Sequence, residues 1–199
     1  MAFYLAIAER GIGSAYDQVI ADEAGQDPTT VALAKAVISR ESEWNPNARN
    51  VSGAEASYGL MQLNITGGAG SGLTVAEALD PATNLHRGIG YLQTQMRRYP
   101  DNDLDVISAY NGGHSLRRAD GTYGNVDPTY VPDVAAYFNW YLANDPLVQQ
   151  LAQGSADRPV PIDGLAVTAP AGGGWGGGGV ALAVAIGWLL FGQKKRARA

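Results

Sequence analysis

The sequence predicts a mainly α-helical domain with at most a small β element, then a Gly/Pro-rich linker and one C-terminal membrane-spanning helix. Three observations carry that prediction. Apolar residues recur at helical spacing in four stretches of the first 145 residues, around Leu33–Ile38, Leu85–Met96, Leu104–Ala109 and Tyr130–Leu142. Two helix starts are signalled by Asp-Pro pairs, Asp27-Pro28 and Asp80-Pro81, which supply a capping carboxylate and a first-turn proline. Composition then shifts at Gly154, and no charged residue occurs from Gly164 to Gln193.

Taken in order, residues 2–8 (Ala-Phe-Tyr-Leu-Ala-Ile-Ala) are too short an apolar run for a signal peptide, lack a preceding basic residue and run straight into Glu9-Arg10. They read as a strand or helix start packed on the domain. A helix is expected over 15–23, stopped by Gly25. The helix opened by Asp27 runs to about Glu43, where Asn45-Pro46 ends it. Residues 47–57 read as loop, Gly59–Leu63 as a short extended segment, and the glycine run from Gly67 to Gly72 as flexible loop. That run lacks a following Lys-Ser or Lys-Thr and a preceding buried strand, so it is not a phosphate loop. Thr74 caps a short helix, Val75–Leu79, and Asp80 opens the longer one. A helix over 103–110 ends at Asn111-Gly112-Gly113, a polar loop reaches about Asp127, and an aromatic-rich helix covers 130–142.

The boundaries implied are an N-terminal segment at 1–14, a globular domain at 15–150, a linker at 151–174, a spanning helix at 175–193 and a basic tail at 194–199. The apolar core of the span, Val180–Phe191, is shorter than the roughly 20 residues a bilayer requires. The upstream glycine tract extends it, and Trp175 and Trp188 suit the two interfaces.

Of the 199 residues 46% are hydrophobic, which fits a globular domain, and none is cysteine, which removes disulfides and thiolate metal sites. Up to residue 163 ten basic groups face nineteen acidic ones, a net of −9. An acidic body argues against nucleic-acid binding, which needs a cationic footprint. His86 and His114 lack metal-ligand spacing, so neither metal nor cofactor is expected.

The stretch 36–62 organises the chain. Read back from Glu41, Ile38, Val37, Ala34 and Leu33 fall on one helical face, so Glu41 occupies the place of the next buried apolar residue. Glu43 lies about 200° further round. A carboxyl group at the end of an apolar stripe loses solvation, which raises its pKa and suits it to donate a proton near neutrality.

Three separated motifs resemble one family. Glu41-Ser-Glu-Trp-Asn-Pro-Asn-Ala48, Tyr58-Gly-Leu-Met-Gln-Leu63 and Ala109-Tyr-Asn-Gly-Gly113 are similar to the E-S-x-x-N-P-x-A, G-L-M-Q and A-Y-N-A-G segments of soluble-lytic-transglycosylase domains. These are lysozyme-like enzymes that cut peptidoglycan. Asp80-Pro-Ala-Thr-Asn84-Leu with Gly90-Tyr-Leu92, and Thr129–Val134, match two further family helices, so the likeness spans residues 15–145 in order. It implies a lysozyme-like fold and a catalytic acid/base at Glu41. It implies substrate contacts from Ser42, Gly59, Met61, Gln62, Tyr110, Asn111 and Tyr130, the last touching the catalytic carboxylate. His114-Ser115 stands where the family commonly has Pro-Gly, and Gly112 replaces an alanine.

Most glycosidases use two carboxylates. Glu55, Asp80 and Asp101 are available as a second, but none lies in a matching motif. The resemblance supplies a route with one: Glu41 protonates the glycosidic oxygen, then accepts the proton of the muramyl 6-hydroxyl as a 1,6-anhydro ring closes. The expected activity is cleavage of the β-1,4 bond between N-acetylmuramic acid and N-acetylglucosamine. Rivals are a hydrolytic muramidase of goose-lysozyme type and a non-catalytic peptidoglycan-binding virion protein. The expected partners are glycan strands and, through the C-terminal helix, a lipid bilayer. An internal virion membrane, with cell-wall penetration by a phage, is favoured over a bacterial membrane.

Overall fold

The computed structural model describes residues 2–162 apart from 54, 157 and 158. The spanning helix expected at 175–193 and the tail at 194–199 lie outside the described residues. Among the described residues no helix is long and apolar enough to cross a membrane.

Eight helices and one small sheet are described: α1 (Ala2–Glu9), α2 (Asp17–Glu23), α3 (Pro28–Ser42), β1 (Arg49–Ser52), β2 (Glu55–Tyr58), β3 (Leu63–Asn64), α4 (Val75–Leu79), α5 (Pro81–Arg98), α6 (Asp103–Gly112), α7 (Tyr130–Asn144) and α8 (Pro146–Gly154). α3 is the axis. Every residue from Thr30 to Ser39 is buried, because α1, α2, α5, α7 and α8 all pack around it. The single apolar stripe read from sequence is therefore too modest: α3 is a central helix, apolar on nearly all sides. Asp27 accepts the backbone N–H of Thr30, and Pro28 fills the first turn, as the Asp-Pro signal requires.

One buried charge holds α3 to its surroundings. Lys35 Nζ lies 2.8 Å from Asp17 and 2.6 Å from Asp145, and it donates to the Gly11 carbonyl at 2.9 Å. Such a group is tolerable in a core only with its partners in place.

α3 ends where the sequence places it, at about Glu43, whose left-handed backbone (φ 52°) is followed by a second left-handed residue, Trp44 (φ 67°). The structure corrects the sequence reading at three points. The expected loop at 47–57 holds an antiparallel hairpin, with Arg49 opposite Tyr58 and Ser52 opposite Glu55. β1 is exposed along its whole length, so no alternation of apolar and polar residues marks it. Residues Gly59–Gln62 form a turn, and β3 adds to β2 only at Leu63-Asn64. Finally, α8 runs to Gly154, past the boundary drawn at 150, with Asp145 capping it through the N–H groups of Leu147 and Val148.

Candidate active site

Glu41 emerges on the last turn of α3, one residue before its end, where the buried helix reaches an open cleft. It is half-buried, and burial is the main force pushing its pKa up to about 7. Two groups oppose that rise. The Tyr130 hydroxyl donates to Glu41 Oε1 at 2.6 Å, and Arg40 lends positive potential; Glu55 adds a weaker upward push. Arg40 is held by Asp127 and by Asp133, 3.3 Å away, and its guanidinium lies over the Tyr130 ring. Tyr130 itself is 2% exposed and starts α7, so α7 presents its hydroxyl to the end of α3.

The cleft encloses about 320 Å³, and its walls come from four places. The small sheet contributes Glu55, Ser57 and Asn64; the turn before β3 contributes Gln62; the loop after β3 contributes Gly67, Gly68 and Ala69; the α5–α6 pair contributes Tyr91, Tyr110 and Asn111. Gln62 holds a left-handed backbone (φ 47°) and returns its side-chain amide to the Gly59 carbonyl at 2.9 Å. A non-glycine residue in that region costs of order 1 kcal/mol, and such strain collects at functional sites.

The turn is anchored from behind by Asn84, fully buried on α5. Its amide accepts the Met61 N–H at 2.8 Å and donates to the carbonyls of Tyr58 (2.9 Å) and Ala78 (2.7 Å). Gly59 (φ 79°) passes so close that an added Cβ would stand 2.3 Å from the Asn84 amide and 2.6 Å from the Ala78 carbonyl. Tyr110 donates to the Met61 carbonyl at 3.0 Å and packs edge-on against Tyr91.

The expected site residues therefore occupy three positions. Glu41, Gln62, Tyr110 and Asn111 line the cleft together. Tyr130 reaches Glu41 from beneath. Gly59 and Met61 are packed behind the wall, Met61 fully buried, and Ser42 turns its hydroxyl back to the Ile38 carbonyl at 3.2 Å. Of the carboxylates weighed as a second acid, only Glu55 enters the cleft; Asp80 caps α5. Arg40, Arg49, Asn50 and Asn125 were not singled out from sequence. Asn125 ties the 114–127 loop to α6, joining Ser108 (2.7 Å) and Asn111 (2.9 Å), and nothing in that polar loop marks it beforehand. No group of three or more acidic or histidine side chains among the described residues is arranged to hold a metal.

A helical domain built around one central helix, with a small antiparallel sheet and a single half-buried glutamate over a polar cleft, has the form of a lysozyme-like fold. The family profile described as the Transglycosylase SLT domain matches residues 18–129, more than half of the chain, and the protein belongs to that family. It is similar to membrane-bound lytic murein transglycosylase F of Yersinia enterocolitica, 35% identical over 88 residues, covering 41% of this chain and 17% of the relative. The same-named protein of Serratia proteamaculans is 39% identical over 87 residues, covering 41% and 17%. The soluble lytic murein transglycosylase of Escherichia coli is 29% identical over 134 residues, covering 55% and 20%. The chain thus spans about a fifth of the length of these curated relatives.

Proposed function

We propose that the protein is a peptidoglycan lytic transglycosylase that cleaves the β-1,4 bond between N-acetylmuramic acid and N-acetylglucosamine and leaves a 1,6-anhydro end. The observation that carries this reading is Glu41, a carboxyl group with a pKa near 7 at the mouth of a polar cleft. At neutral pH such a group is protonated in a large fraction of molecules and is still basic enough once ionised. Its proton goes to the bridging oxygen as the C1–O bond breaks. The resulting carboxylate takes the proton of the 6-hydroxyl as that oxygen bonds to C1, so Glu41 ends protonated and no water is consumed. Tyr130, donating to the same carboxyl, stabilises the ionised state between the steps. Gln62, Tyr110 and Asn111 supply hydrogen bonds and an aromatic face for the sugars. Ser42, Gly59 and Met61, expected as substrate contacts, are assigned the lesser part of shaping the wall.

The test is digestion of purified sacculi by the full-length chain, with mass spectrometry of the released muropeptides. Anhydro ends, lighter by one water than reducing ends, are expected. One observation favours a second reading, hydrolysis of goose-lysozyme type: Glu55 stands in the cleft with Glu41, where a second carboxylate would activate water. Reducing ends would establish it in place of the first. No release of either kind, with sacculus binding intact, would leave a binding protein on an enzyme fold.

The wider setting we propose is attachment to a bilayer through 175–193 and the basic tail 194–199, in a virion that opens the wall locally, with a bacterial membrane as the alternative. What supports it is sequence pattern: an uncharged apolar run flanked by Lys194–Arg198. Membrane flotation of the full-length chain beside a 1–163 truncation tests the anchor.

A further inference from the structure

The cleft continues past Glu41 and Gln62 into a second, wider groove of about 680 Å³, and the two halves differ in charge. No lysine or arginine lines the first, whereas Arg10, Arg40 and Arg49 all line the second. Two of these three are already engaged. Arg40 is bound by Asp127 and Asp133. Arg10 pairs with Glu43 at 3.6 Å and donates to its carbonyl at 3.2 Å. Arg49 is different. Its guanidinium rests over the Tyr58 ring, 5.8 Å from the centroid, and among the described residues it forms no ion pair. It is exposed on β1, beside Asn50, which lines both halves.

A cation held on an aromatic face, facing a groove and without a carboxylate partner, is disposed to receive an anion from outside the chain. The sugar rings of a glycan strand are neutral, so they need no such group. The body as a whole is acidic, so this local positive surface is not a nucleic-acid footprint. Resting on the activity proposed above, we propose that the groove takes the carboxylate-bearing substituent on the 3-position of the muramyl sugar, with Arg49 as its anion-binding group. Glycan rings then fill the uncharged half, and the lactyl arm or its peptide stem turns into the cationic half. Arg49 acts in recognition, away from the reacting atoms.

Binding is measured by calorimetry in the full-length Glu41→Gln protein, which removes turnover from the readout. Three probes are compared: peptidoglycan oligomers carrying tetrapeptide stems, the same oligomers stripped of peptide by an amidase, and chitin oligosaccharides of equal length. An exposed, charge-assisted contact leads us to expect about five-fold weaker binding of the stem-bearing oligomer after Arg49→Gln, with a smaller effect on chitin. Arg49→Lys retains most of the preference. Loss on the amidase-stripped oligomer alone assigns the lactyl carboxylate, which is free only there; loss on the stem-bearing one alone assigns the peptide's carboxylates, and loss on both shows that Arg49 receives either. Equal change on all three probes overturns the proposal. Should Arg49→Gln unfold, the parent's preference for the anionic probes must fall with rising salt, and a salt-insensitive preference overturns it equally. Because binding is read without cleavage, absence of turnover in the wild-type chain would defeat the proposed activity and leave this result standing.

Discussion

Glu41 carries opposing consequences for stability and for activity. Its pKa is raised in the folded protein to about 7 from an ordinary carboxyl value near 4.5. A raised folded-state pKa means that protons favour folding: the stabilisation is fully present below pH 4.5 and is lost as pH rises through 7. Glu41→Gln keeps a neutral acceptor for Tyr130 and removes the ionisation. It is expected to abolish muropeptide release and to stabilise the fold by about 2–3 kcal/mol at pH 8, with no gain near pH 4. Denaturant melts of both proteins at the two pH values check this; an equal difference at both would show that burial does not govern the group. The neighbours make a second prediction with two signs. If Glu41 is the acid proposed above, loss of its proton sets the alkaline limb of the pH–rate profile. Tyr130→Phe removes a hydrogen bond that favours the carboxylate, so the limb moves to higher pH; Glu55→Gln removes a like charge, so it moves to lower pH. Profiles of kcat/KM that moved together would refute the assignment.

At the scale of elements, Glu41 is placed by a helix end and the cleft wall by a buried amide. Asn84 satisfies three backbone groups of the Tyr58–Met61 segment and the end of α4. Asn84→Ala leaves those groups without their partner inside the fold, which we expect to cost about 2–4 kcal/mol. It should also raise KM, since Gln62 hangs on the same turn. Thermal melts and steady-state kinetics measure the two effects. Legibility from sequence follows the same physics. The helices starting at Pro28, Val75 and Pro81 were readable because Asp27, Thr74 and Asp80 cap them with side chains whose chemistry is specific. Glu41 was readable because a carboxylate interrupts an apolar pattern. The β1–β2 hairpin was not, since Arg49–Ser52 are all exposed and carry no burial code. Arg49 and Asn50, which it brings to the grooves beside Glu41, escaped with it, and Glu55 was weighed only as one of three carboxylates outside the motifs. Helix α8 is a different kind of miss: Asp145-Pro146 repeats the very signal used twice earlier, and the glutamines after it masked an amphipathic helix.

That miss fixes where the folding unit ends in the whole molecule. Lys35 joins the Gly11 carbonyl and Asp17, near the start of the chain, to Asp145 at the cap of α8. Leu147 and Leu151 are partly buried against the core, and Val148 is fully buried. Beyond α8, the chain returns to α7: Asn139 donates to the Ile162 carbonyl at 3.0 Å and accepts its N–H at 2.8 Å, while Ile162 packs on the core. A chain cut after residue 150, at the boundary drawn from composition, therefore loses the last turn of α8 and the Asn139 clasp. Two half-buried aliphatic side chains and two hydrogen bonds come to about 3 kcal/mol. For a domain of this size that is a fall of about 6–12 °C in Tm relative to a chain cut after residue 162. The loss should be cooperative, because Asp145, still present in the shorter chain, would be capping a frayed helix while holding Lys35. Equal melting temperatures for the two truncations would place the end of the domain at 150 and reduce 151–162 to linker.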